Sequence, residues 1–82
     1  MSFNRTLCPL SDVLAAMGWG KSTTYKKIKE GLFVGPVNMG SKASAWPSDE
    51  VAALQDAYVA GRTDDEIREL VVSMVAARRG AK

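Results

Sequence analysis

The sequence predicts a mainly α domain with one small β-hairpin, on three observations. Apolar residues recur at helical spacing in four separate stretches. Between the second and third lies "FVGPVNMGSKASAWP", whose glycines and prolines disfavour helix and whose apolar positions suit two short strands. Only residues 18–21 part the first two helical stretches, so these form a tight pair around a glycine turn. With 82 residues, the chain is expected to make a single domain over residues 1–82, near the size at which one core is only just sufficient.

The first helix is written in "LSDVLAAMG". Ser11 is suited to an N-cap, Asp12 to the positive end of the dipole and Gly18 to a left-handed C-terminus, while Val13, Leu14 and Met17 share a face. Ser22 is suited to cap the second helix, "TTYKKIKE", which Gly31 ends, so the helix-turn-helix spans about residues 10–31. A wing follows over about 33–46, with Val37 and Met39 on one strand, Ala43, Ala45 and Trp46 on the other, and the turn at Gly40, Ser41 and Lys42. A third helix occupies about 48–60: Pro47 and Ser48 open it, Asp49 and Glu50 fill its first turn, and Val51, Leu54 and Tyr58 recur until Gly61. The fourth, about 63–79, begins with the capping-box pattern Thr63 to Glu66 and carries an apolar stripe at Ile67, Leu70, Val71, Met74 and Val75. Such a fold is a winged helix-turn-helix with an additional C-terminal helix.

The formal charge of +2 conceals an asymmetry. Residues 1–46 carry six basic groups (Arg5, Lys21, Lys26, Lys27, Lys29, Lys42) against Asp12 and Glu30, whereas residues 47–82 carry more acidic than basic groups. Four of those lysines crowd the second helix. On a helical wheel its inward side is expected to be Tyr25, Ile28 and Leu32, with Thr23, Lys26 and Lys27 turned outward and Lys21 and Ser22 at the N-terminal end. That is the arrangement of a recognition helix in the major groove of double-stranded DNA. The DNA-contacting residues expected are Lys21, Ser22, Thr23, Thr24, Lys26 and Lys27, joined by Lys42 from the wing. Trp19, Trp46 and Tyr25 are expected to pack rather than stack on bases.

Other chemistry is disfavoured. There is no histidine, so the usual general base near neutral pH is missing, and the carboxylates of "TDDEIRE" sit in a first helical turn where capping and dipole account for them. The single Cys8 makes neither a disulfide nor a Cys/His metal site, and no nucleotide-binding glycine loop is present, so no enzyme activity, cofactor or metal is expected. No apolar run approaches the ~20 residues of a membrane span, and "MSFNRTLCPL" lacks a signal-peptide core, so a cytoplasmic, DNA-associated protein is expected.

The run "GWGKSTTYKKIKEGLF", followed by "PVNMG" and "AWPSDEV", resembles the AlpA-like phage and genomic-island regulators, within the MerR-like winged helix-turn-helix group that includes small excisionases. The likeness covers about residues 10–58; the tip "SKASA" and the Pro47 after Trp46 depart from the more basic wing of such proteins. It implies a regulator of transcription, or a recombination directionality factor that bends attachment-site DNA, with Ser22, Thr23, Lys26 and Lys27 in recognition-helix positions and Lys42 in the wing. The implied protein partners are integrase or RNA polymerase. Two other readings stand beside it: the DNA-recognition subunit of a phage packaging terminase, and a module whose lysines meet an acidic protein. The stripe of the last helix either completes the core, which the small size favours, or offers Ile67, Leu70, Val71 and Met74 for self-association.

Overall fold

The computed structural model describes residues 6–38, 40 and 44–80, without the side chains of residues 79 and 80. Its elements, in order, are β1 (Leu7–Cys8), α1 (Leu10–Met17), α2 (Lys21–Lys29), β2 (Val37–Asn38), β3 (Ser44–Pro47), α3 (Ser48–Val59) and α4 (Asp64–Gly80). The architecture is mainly helical with a small antiparallel sheet, as expected for a winged helix-turn-helix. Met39, Ser41, Lys42 and Ala43 of the expected hairpin lie outside the described residues.

The helix starts differ from expectation by one or two residues, each for the same reason. Helix α1 is preceded by extended Pro9, whose carbonyl accepts from Asp12 N and Val13 N at 3.1 and 3.2 Å, so Ser11 falls inside the helix. Extended Gly20 precedes α2 and extended Pro47 precedes α3, leaving Ser22 and Ser48 within the first turns. A cap is defined by backbone conformation, and in all three cases the residue that breaks into extended geometry is Pro or Gly. Ser48 instead serves β1: its Oγ accepts from Thr6 N at 2.8 Å and its N–H donates to Thr6 O at 2.6 Å.

The helix ends follow the sequence. Gly18 closes α1 at φ 70° with its N–H on Leu14 O. Gly31, at φ 79°, allows Leu32 N to reach Lys27 O and Gly31 N to reach Ile28 O, a full Schellman closure of α2. The capping box of α4 is reciprocal: Thr63 N donates to Glu66 Oε1 at 2.9 Å and Glu66 N to Thr63 Oγ1 at 3.2 Å.

Strand β3 is central. It pairs with β2 through Val37↔Ala45 and Asn38↔Ser44, the wing, and with β1 through Leu7↔Pro47 and Cys8↔Trp46, a third strand that the sequence pattern does not announce. Two residues are too short to show an alternation, so β1 exists only because β3 has an edge to be paired. Trp46 is fully buried, with its indole N–H on Val34 O at 2.9 Å. Around it lie Val13, Leu32, Phe33, Val34, Val51, Leu54, Ile67 and Val71.

Helix α4 packs onto this core. Ile67 is fully buried and Val71 is 8% exposed, while Leu70 and Met74 are partly buried against the same cluster. Of the residues offered for self-association, Ile67 and Val71 are therefore used in the core and Leu70 and Met74 partly so, because a small domain needs that area.

Candidate nucleic-acid interface

The site is built on α2, whose orientation is set from three sides. Its inward residues are Thr24, fully buried, and Ile28, partly buried and packed on the core. Thr24 Oγ1 donates to Gly20 O at 3.0 Å. At its C-terminus, Arg68 of α4 donates from Nε to Glu30 O at 3.1 Å, placing a guanidinium at the negative end of the helix. A Cβ on Gly31 would meet Arg68 Cγ at an ordinary 3.6 Å, so the positive φ rather than space is what favours glycine there.

The inward face is centred between Thr24 and Ile28 rather than between Tyr25 and Ile28, a rotation of about 50° from the expected wheel. Thr24, expected to present its hydroxyl to DNA, is removed from the contact set, since that hydroxyl is both buried and engaged. Tyr25, expected to pack, is 41% exposed. A threonine can be buried in place of the tyrosine because its hydroxyl is satisfied by the backbone one turn back.

Of the other expected contacts, Lys21, Ser22, Thr23 and Lys26 are exposed on α2. Lys29 joins them, a residue that the wheel centred on Tyr25 did not select and one centred on Thr24 does. Lys27 is partly buried, with its Nζ 5.7 Å from the centroid of the Trp19 ring. Trp19 in turn meets Phe33 and Tyr58 edge-on, with centroids 5.4 and 5.5 Å away. Lys27 is thus a rim residue whose stem covers the aromatic cluster and whose charge rests on an indole face. Lys42 lies outside the described residues.

The charges of α2 are uncompensated. Among the described residues, Lys21, Lys26 and Lys29 form no ion pair, whereas three arginines of the second half do: Arg62 with Glu66 at 3.9 Å, Arg68 with Asp65 at 3.5 Å, and Arg78 with Glu50 at 2.6 Å. No side chain caps the α2 N-terminus either, so the first N–H groups of the helix point out beside Lys21 and Ser22. Together these form a surface of ammonium groups, hydroxyls and backbone donors, with nothing in the described chain to neutralise it.

Two groups of the other half of the molecule are shifted in titration. Burial, helped by the Asp64 carboxylate, raises the Tyr58 hydroxyl above its ordinary range, and the backbone hydrogen bond from Thr63 holds Glu66 below its own. Among the described residues, no group of three or more His, Cys, Asp or Glu is placed to hold a metal ion, and no helix is long and apolar enough to cross a membrane.

Comparison with curated proteins and with solved structures gave no match. The family model described as "Prophage CP4-57 regulatory protein (AlpA)" matches residues 7–57, from β1 through nearly all of α3, and leaves α4 outside the match. With its tight helix pair, wing and uncompensated basic helix inside that matched segment, the chain belongs to the AlpA family of phage-type regulatory proteins.

Proposed function

We propose that this protein binds double-stranded DNA sequence-specifically through α2 and, in a phage or mobile element, controls recombination as an excisionase or transcription as a regulator. The observation that carries this reading is the exposed face of α2, where Lys21, Lys26 and Lys29 stand unpaired beside Ser22, Thr23 and the open helix N-terminus. A folded protein keeps like charges together without counter-charges at a cost in self-repulsion, and a polyanion relieves it. Helix α1 braces α2 from behind through the Gly18 turn, so α2 enters the major groove with its exposed face at the base edges and its lysines on phosphates. No bond is made or broken in this mechanism. The effect comes from occupying and bending a site, and from presenting the remaining surface to integrase or RNA polymerase.

Lys26→Glu tests the reading, because Lys26 is exposed. The variant is expected to keep the circular-dichroism spectrum and melting temperature of the parent while its affinity for duplex DNA, by mobility shift, falls about tenfold or more. The slope of log affinity against log salt should drop by about 1. A folded variant that binds as the parent does would remove α2 from the interface. An acidic protein would meet the same lysines, and preference for one duplex over its scrambled counterpart at equal salt separates the two partners.

A further inference from the structure

Lysines explain affinity for DNA but not the choice of a sequence, since an ammonium group is satisfied by any phosphate. The exposed face of α2 holds one large group of a different kind. Tyr25 is 41% exposed, its ring contacts no other aromatic ring and its hydroxyl has no hydrogen-bond partner in the described chain. It lies at i+4 from Lys21 and at i−4 from Lys29, so the three form one stripe along the helix with the ring in the middle and an unpaired ammonium a turn away on each side. Eight residues of helix separate those lysines by about 12 Å. The major groove is roughly 12 Å wide, so a helix whose two ends reach the bordering phosphates sets its middle over the base edges.

What a phenol ring can recognise there is limited. The base edges in the major groove are hydrogen-bond donors and acceptors except for one apolar group, the 5-methyl of thymine, and an aromatic face gains from covering it. We infer that Tyr25 is the specificity-determining residue of this interface, its ring set against a thymine 5-methyl between phosphates held by Lys21 and Lys29. This rests on the reading of α2 as a DNA-binding helix. Lys21 and Lys29 then set register and affinity, and Tyr25 sets sequence.

The test uses the full chain and a duplex enriched by it from a random pool, measured against a scrambled duplex of equal composition. Tyr25→Ala should melt within a few degrees of the parent, since the ring is outside the core. It should lower the preference for the enriched duplex by about tenfold, leave affinity for the scrambled duplex within about twofold and leave the salt slope unchanged. Tyr25→Phe should keep most of the preference. Replacing thymines of the enriched duplex one at a time with uracil, which removes only the methyl, should at one position weaken the parent about fourfold and scarcely affect Tyr25→Ala. An undiminished preference in Tyr25→Ala, equal losses on both duplexes, or a uracil effect of the same size in parent and variant would each overturn the assignment while leaving DNA binding intact. A parent that enriches no duplex and forms no complex in dilute buffer would instead overturn the DNA-binding reading itself.

Discussion

At the scale of single residues, position 24 decides how the interface is oriented. Thr24 sits fully buried where α2 lies on the core, and its hydroxyl returns to Gly20 O, one turn back. The group is structural, and Thr24→Val keeps its shape while removing that bond. The variant is expected to lose about 1 kcal/mol in urea unfolding and to bind duplex DNA within about twofold of the parent. A large loss of affinity in a stable Thr24→Val protein would return the hydroxyl to the contact set. Its neighbours illustrate how fine this discrimination is: Tyr25, one residue on, is exposed, and Lys27 rests on Trp19 rather than projecting freely. Mutating Lys27 therefore disturbs packing along with charge, which makes Lys26 the cleaner probe.

Among the elements, α4 shows what lies beyond the family-matched segment. Arg68 near its start holds the C-terminus of α2, and Arg78 near its end clamps the root of the wing. Arg78 Nη2 bonds Glu50 Oε1 at 2.6 Å and Gly35 O at 2.8 Å, with Nε 3.2 Å from both carboxylate oxygens. Gly35 precedes β2 and Glu50 stands in the first turn after β3, so one guanidinium ties the entry of the hairpin to its exit. The Glu50 side chain is 6% exposed and that of Arg78 21%, so the pair is held largely out of water. Arg78→Ala should cost roughly 3 kcal/mol or more by chemical denaturation. The double change Arg78→Met with Glu50→Leu should recover most of that loss, because the buried carboxylate is removed together with its guanidinium. If the double variant is no more stable than the single, the pair is not the source of the effect. The start of α4 was legible from its local pattern, since a capping box needs only Thr63 and Glu66 three residues apart. The Arg78 clamp was not, because its partners are 28 and 43 residues away in the chain.

On the scale of the whole molecule, charge and stability are separated in space. Among the described residues the lysines of α2 form no ion pair, while the pairs and shifted groups described above gather on and between α3 and α4. Tyr58 joins the two regions: its hydroxyl donates to Leu32 O just past α2 and its ring meets Trp19. Burial raises its folded-state pKa above the unfolded value of about 10. The stability this contributes is complete below pH ~10 and is lost as pH rises through the folded value, since the unfolded chain releases the proton first. Thermal melts of the parent should therefore weaken above pH ~10 more steeply than those of Tyr58→Phe. Parallel pH profiles for the two would show that Tyr58 does not govern alkaline unfolding.

By itself the sequence determined which segments are helical, where they stop, that a hairpin intervenes and that positive charge is concentrated on the second helix. Those properties are local: periodicity, glycine at positive φ and residue type act within a few positions of one another. Only the tertiary structure decided the rotation of α2, the addition of β1, the use of Ile67 and Val71 as core and the pairing of Arg78 with Glu50. Each of these depends on which distant surface a residue meets, and a side chain's burial is a property of that meeting rather than of its own position in the chain.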